Sequence, residues 1–348
     1  MINRMNVLGI ETSCDETSVA IISNNEIKTN LISSQDFHAD FGGVVPELSS
    51  RAHLQILIPL IKKALTTSQL SLNQFNLITA TAGPGLIGAL LVGLTFAKSL
   101  SYALKIPFIP VNHIEGHIFS GFLMNEKPVY PYLCLVVSGG HTLLLIVKSD
   151  IDIIQLGTTI DDAVGEAFDK VSKLLGLGYP GGPKIQFTAD DNKSDLINFP
   201  VARCKNEFDF SFSGLKTSVL RFVQKNYGST EKIPIEDLPM ITASFQTAAV
   251  KALITNVEKA IGKYHVASIS LVGGVAANQM LRDELAKIAK SYNKKLIIPS
   301  PEFCGDNAAM IAYRGLKLQE AGYIYGFDYN AYPSLKDNTF INTTGAAF

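Results

Sequence analysis

The chain has few charges, few cysteines and no surplus of either sign. Of its 348 residues, 18% are Asp, Glu, Lys or Arg and 47% are hydrophobic. Mean hydropathy is +0.21. That balance excludes a disordered or highly charged protein and favours a buried, sheet-rich interior. The formal charge is −1, from 30 basic and 31 acidic residues. A global basic footprint, the usual mark of a nucleic-acid binder, is therefore missing. An RNA substrate would need a local patch or a partner to hold it. Cys14, Cys134, Cys204 and Cys304 are far apart, with no paired spacing for a disulfide framework or zinc finger. A reducing, cytoplasmic setting fits. The N-terminus runs almost at once into a β-prone run, so no signal peptide is expected. The longest apolar stretch, Leu86 to Leu104, is broken by Lys98, Ser99 and Ser101. It is expected to be a buried helix and not a membrane span.

What is present is a pattern stated twice. VLGIETSCDETSVAIIS reads as strand, polar turn, strand, with Val7–Ile10 and Val19–Ile22 as β-prone runs. YLCLVVSGGHTLLLIVKS repeats it, with Leu133–Val137, a glycine turn and Leu143–Val147. The repeat predicts a duplicated α/β half, and two facing halves would bring both turns to one cleft. Helical spacing is read over 52–65, 161–176, 238–264, 279–292 and 307–321. Strands are expected at 77–82, 268–272 and 296–299. A polar stretch of low order spans about 190–206. The tail after Gly326 has no periodicity and is expected to wander over the surface.

The sharpest local signal is NHIEGH, Asn112 to His117. Asn112 is a good helix N-cap, and Glu115 stands where a capping-box acid would. His113 and His117 are then one turn apart on one face, a spacing that suits one metal ion or is simply that of two histidines on a helix near a surface. The helix N-terminus is expected to keep both imidazoles neutral. A third ligand is needed, and Asp306 in FCGDNAAMIA is a candidate, although its plain role would be to cap the last helix. Two imidazoles and a carboxylate suit iron or zinc alike. Three glycine turns, SGGHT at 138–142, GGVAAN at 273–278 and GPG at 83–85, follow strands and can bring N–H groups to a phosphate. Each alone can equally be a tight turn. Asp162, Glu166 and Asp169 are spaced to share a helix face, either as a solvated stripe or with Asp169 accepting ribose hydroxyls. Lys216 in FSFSGLKT is a phosphate contact or an ordinary surface lysine.

Taken together, GIETSCDETSVAI, GGVVPELSSRAH, GPGLIGALLVG, NHIEGH, LVVSGGHT, DDAVGEAFDKVSKLLGLGYPGGP, FSFSGLKT, GGVAAN and FCGDNAAMIA resemble one family. These are the tRNA adenosine threonylcarbamoyltransferases, called TsaD in bacteria. The strings keep family order from about residue 8 to 315.

The resemblance implies an α/β, actin-like ATPase (ASKHA) fold of two duplicated ribonuclease-H-like halves around a nucleotide cleft. The first half would be 1–128, with a helix at 307–321 packing back on it. The second would be 129–306, and the tail 327–348. It implies transfer of a threonylcarbamoyl group from threonylcarbamoyl-AMP to N6 of the adenosine 3′ of the anticodon, in tRNAs reading codons that begin with A. By motif match His113, His117 and Asp306 hold one divalent metal ion, Fe2+ by family or else Zn2+. Val136, Val137, Ser138, Gly139, Gly140, Asp169, Gly182 and Asn278 contact the substrate. Glu11, in the first turn, is a candidate general base, with attack by an adenosine amine that needs no prior deprotonation as the alternative. Gln186 departs from relatives that carry an Asp there, which puts a ribose contact in doubt. The implied partners are tRNA, a TsaB-like paralogue and a TsaE-like ATPase. The apolar helices 52–65 and 86–104 are read either as a face for such a partner or as ordinary buried core. No membrane is implied.

Three other readings compete. A small-molecule kinase of the same fold would leave the histidine pair without a role. A metallopeptidase lacks the HExxH glutamate, since Ile114 follows His113. A non-catalytic scaffold leaves the intact histidine and aspartate set unexplained.

Overall fold

The structure, a computed structural model, describes residues 5–189 and 196–335. It divides into two compact units, Met1–Lys127 with Ser149–Ile153 and Pro299–Phe348, and Pro128–Lys148 with Ile154–Ile298. Part of the polar stretch at 190–206 and most of the tail at 327–348 lie outside the described residues. The chain returns to the first unit at Pro299 and not at 307, so Asp306 belongs with the first unit.

In chain order the first unit opens with β1 (Asn6–Glu11), β2 (Glu16–Ser23) and β3 (Glu26–Ser34), and continues with α1 (Pro46–Ser68) and β4 (Leu77–Gly83). It goes on through α2 (Ile87–Leu104), β5 (Phe108–Asn112) and α3 (His113–Ser120). The second unit holds β6 (Tyr132–Val137), β7 (Thr142–Ser149), β8 (Asp152–Thr158), α4 (Val164–Leu174) and α5 (Gly181–Thr188). It continues with α6 (Ser213–Tyr227), α7 (Leu238–Lys263), β9 (Ser268–Val272), α8 (Gln279–Ser291) and β10 (Lys295–Ile297). Back in the first unit are α9 (Pro301–Cys304) and α10 (Ala308–Glu320).

The two sheets share one topology. One runs β3-β2-β1-β4-β5 and the other β8-β7-β6-β9-β10. In each, the first strand pairs antiparallel with the second and parallel with the strand that follows a helix. The repeated strand–turn–strand pattern of the sequence is thus the hairpin of each sheet. In the first unit, alternation along β1 separates two layers. Leu8 and Ile10 join Leu57 and Ile61 of α1 and Leu94 and Ala97 of α2 in one buried cluster. Gly9 faces the other way, where a Cβ would come within 2.4 Å of Ala308 O at the start of α10. Only a residue with no side chain lets that helix lie so close. Both faces of the sheet are covered, which is why its central strands read as nearly unbroken apolar runs.

Helix α2 is long and apolar enough to cross a membrane by length and composition, yet only 33% of it is buried. The buried helix expected from sequence is two-faced. Ala89, Leu90, Gly93, Leu94 and Ala97 face the sheet, while Ile87, Leu91 and Tyr102 are exposed. The described part of the tail does not wander. Tyr332 N–H donates to Ala82 O at 2.9 Å, Gly85 N–H donates to Pro333 O at 3.3 Å, and Lys98 Nζ donates to Tyr329 O. Tyr332 is buried in the same cluster as Leu57 and Leu94. The GPG turn is therefore occupied by the chain itself. Strand β3, with one buried residue in nine, carries too little apolar alternation to be read from sequence.

Candidate functional site

Strand β5 ends in Asn112, whose Oδ1 accepts from Ile114 N at 2.9 Å and Glu115 N at 3.2 Å. The N-cap fixes where α3 begins, and so fixes the phase of His113 and His117. Their rings lie 4.8 Å apart, edge to face. Asp306 precedes α10, but the cap of that helix is Asn307, whose Oδ1 accepts from Met310 N at 3.0 Å. Asp306 is thereby left to face the imidazoles. Its Oδ1 is 3.3 Å from His113 Nε2 and 3.1 Å from His117 Nε2. One donor atom from each of His113, His117 and Asp306 lies within 4.8 Å of the others.

Glu11, the last residue of β1, stands behind His113. Its Oε2 is 3.1 Å from His113 Nδ1 and also accepts from Thr81 Oγ1. Its Oε1 accepts from Ser13 N at 2.5 Å. Ser13 Oγ is 3.2 Å from the same His113 nitrogen. Glu11 is completely buried, with both oxygens engaged.

The electrostatics differ from the sequence expectation at one histidine. Burial pulls His113 down, but Asp306 and Glu11 together hold it well above the ordinary imidazole value. The two carboxylates outweigh the burial, so the neutral ring expected from sequence is not found at His113. His117 is lowered, by burial first, with only Asp306 strongly opposing. Burial would raise Asp306, yet the two imidazoles hold it far below the carboxylate range. Glu16 is pushed up to about 10 by burial and by Asp306 and Asp15. Negative groups therefore crowd this part of the first unit. Glu115 is not a capping-box acid. Its Oε2 accepts from Arg314 Nε at 2.8 Å, because a fully buried guanidinium is a far stronger partner than a backbone N–H.

The second unit carries a pocket of about 290 Å³ lined by Gly139, Gly165, Phe168, Asp169, Pro180, Gly182, Pro183, Gln186, Gly274, Val275, Ala277 and Asn278. Of the residues expected from sequence to contact substrate, Gly139, Asp169, Gly182 and Asn278 share this wall. Val136 and Val137 are fully buried in β6, Ser138 is buried at its end, and Gly140 is exposed but outside the lining. Asp169 Oδ1 accepts from Gly181 N at 2.6 Å, which pins the glycine loop to α4. Asn278 caps α8 through Leu281 N at 3.0 Å and donates from Nδ2 to Gln246 Oε1 at 2.8 Å. Gly273, at φ +95°, passes so close to β6 that a Cβ would sit 2.4 Å from Val137 O. Gln186 lines the pocket and accepts from Gln279 N at 2.7 Å, so it braces the start of α8.

Asp162 lies before α4 and not on it. It pairs with Lys170 at 2.8 Å and with Lys216 at 3.1 Å, so Lys216 is tied to a carboxylate. Ser13, Thr81 and Phe168 escaped the sequence reading. The first two were hidden because hydroxyls in strands and turns give no spacing signal. Phe168 reads as ordinary core beside Phe245, its T-shaped neighbour at 5.0 Å.

Solved structures of low identity share the fold. HypF of T. kodakarensis aligns with TM-score 0.61 at 16% identity, over 92% of this chain and 48% of that one. The activator of the 2-hydroxyisocaproyl-CoA dehydratase from Clostridium difficile aligns with TM-score 0.53 at 15% identity, over 92% of this chain and 100% of that one. The fold is that of the actin-like ATPases. The tRNA N6-adenosine threonylcarbamoyltransferase of Thermosipho africanus is 50% identical over 334 residues, 95% of this chain and 100% of that protein. The protein of the same name from Carboxydothermus hydrogenoformans is 49% identical over 332 residues, 94% of this chain and 97% of that one. Residues 26–313 match the family described as TsaD: tRNA N6-adenosine threonylcarbamoyltransferase. With most of its length matched and such relatives at about half identity, the chain belongs to the tRNA N6-adenosine threonylcarbamoyltransferase family.

Proposed function

We propose that the chain transfers the threonylcarbamoyl group of threonylcarbamoyl-AMP to N6 of the adenosine 3′ of the anticodon, in tRNAs that read codons beginning with A. Family membership supports the reaction. The observation that carries its chemistry is the convergence of His113, His117 and Asp306 on one point. Two buried imidazoles and one carboxylate, amid the crowded acids Glu11, Asp15 and Glu16, form a donor set that suits a divalent first-row ion. Fe2+ is the first choice and Zn2+ the second. Such an ion, when bound, supplies Lewis acidity toward the activated carbonyl of the acyl-adenylate.

The protein's own groups do the rest. Glu11 holds His113 by its far nitrogen, the place where a ligating imidazole usually meets a carboxylate. With both oxygens engaged, it suits a positioning role better than that of a base. In the second unit the pocket suits the adenylate. Gly139 and Gly274 offer bare backbone to a phosphate, and Asp169 and Asn278 offer polar atoms to a ribose or base. The substrate is a mixed anhydride and already activated, so no covalent enzyme intermediate is needed. A TsaB-like paralogue and a TsaE-like ATPase are the proposed partners, and the cytoplasm the proposed compartment.

Reconstitution with threonine, bicarbonate, ATP, unmodified tRNA and the partner proteins tests the reading, with the modified nucleoside as readout. Wild type is expected to form it, and His113→Ala to lose both product and bound metal. Glu11→Gln is expected to weaken metal binding by about 10–100-fold. Metal retained at full occupancy in His113→Ala refutes the site.

A further inference from the structure

The second unit carries a groove of about 620 Å³ between the segment 201–211 and one face of α7. Its rim holds Arg203 and Lys205 from the segment, and Lys251 and Lys259 from the helix. Lys251, Thr255 and Lys259 stand four residues apart, so the helix presents them in one row. All four cations are exposed. Among the described residues none of them pairs with a carboxylate, and Lys259 makes only a 3.4 Å contact with Asn256 Oδ1.

The two carboxylates of the lining are already engaged. Asp209 Oδ1 accepts from Thr158 N at 3.0 Å and from Asn206 Nδ2 at 3.2 Å. Glu207 is bound by Lys263, which lies outside the lining and over the Phe208 ring. Asn256 Nδ2 donates to Asp209 O at 3.0 Å and ties the segment to α7, so the groove is a fixed feature of the fold. In a chain of net charge −1, these four cations outnumber the one lining carboxylate that no lysine pairs with, Asp209, whose bonds to neutral amides leave its charge in place, and they make a local positive field around the groove. A field of that size, set around a groove, suits a row of phosphates.

We propose that this groove docks the phosphate backbone of the RNA substrate, an assignment that rests on the transferase reading given above. It supplies a local basic surface in a chain of near-neutral composition. Phosphate contacts of this kind fix position and register without reading sequence. They suit an enzyme that acts on one adenosine in several different RNAs.

The test is fluorescence anisotropy of the full chain with a labelled, unmodified tRNA transcript between about 50 and about 200 mM salt. Arg203→Glu with Lys205→Glu, and Lys251→Glu with Lys259→Glu, are each expected to weaken binding about tenfold or more. Each pair is also expected to flatten the salt dependence by about two phosphate contacts. The same charge change at the exposed Lys225 and Lys232 is expected to leave affinity within about twofold. Calorimetric binding of threonylcarbamoyl-AMP is expected to be unchanged in every variant. Unaltered affinity and slope in both groove pairs overturn the docking surface and leave the transferase reading standing. An equal loss in the Lys225 and Lys232 variant overturns it too, because net charge alone then suffices. Failure of the wild-type chain to bind threonylcarbamoyl-AMP counts instead against the transferase reading.

Discussion

Asp162 sits between two ammonium groups, with Lys170 Nζ 2.8 Å from Oδ1 and Lys216 Nζ 3.1 Å from Oδ2. Burial would raise its carboxyl, but the two lysines win and hold it below the ordinary value of 3.8. A group whose folded value is depressed stabilises the fold above its unfolded value, and loses that contribution as pH falls through the folded one. Asp162→Asn is therefore expected to cost about 1 kcal/mol at pH 7, allowing for the half-open lysines. The melting-temperature gap to wild type is expected to hold down to about pH 4 and to close below it. A gap that stays constant into stronger acid contradicts the assignment. The same residue scale explains Asp306. An Asp before a helix is usually its cap, yet here the next residue, Asn307, takes that bond and leaves the carboxylate to the imidazoles.

At the scale of elements, α3 and α10 are joined by one buried pair. Arg314 is fully buried, with Nε donating to Glu115 Oε2 at 2.8 Å and Nη2 2.7 Å from the same oxygen. Its Nη1 donates to Asp150 O at 2.6 Å, and the guanidinium lies 4.2 Å from the Phe119 ring centroid. Helix α3 carries the two histidines, and α10 begins two residues after Asp306, behind its cap Asn307. The pair thus fixes the distance across which the three donors meet. Arg314→Met is expected to cost about 3–5 kcal/mol in urea unfolding, since it strands a buried carboxylate. Adding Glu115→Gln is expected to restore part of that loss, because the stranded charge is then gone. Purely additive losses in the double variant refute the coupling.

At the scale of the molecule, α1 and α2 pack one face each on the first sheet and leave the other uncovered. Leu54 is 65% exposed, Ile58 50% and Leu91 49%. With Val92 and Phe96 they line an open apolar groove between the two helices. An exposed apolar patch of this kind marks an interaction surface more often than chance. It supports the proposed site for the paralogous partner. Leu54→Glu with Leu91→Glu is expected to abolish co-elution with a cognate TsaB-like protein. The melting temperature of the isolated chain is expected to stay nearly unchanged. Continued co-elution refutes the assignment.

Local order along the chain determined much of this protein. The duplicated strand–turn–strand units, the N-cap at Asn112 and the one-turn spacing of His113 and His117 follow from helix pitch and strand alternation, which a short window of sequence contains. The ordered motifs named the family for the same reason. Packing decided the rest. The contact between His117 and Asp306 spans 189 residues. No local rule says that Glu115 would leave its capping place for Arg314, that the tail would close on the GPG turn, or that Val136 and Val137 would stand behind the pocket wall. Those outcomes depend on which surfaces are buried against each other, and residues close in sequence cannot specify that alone.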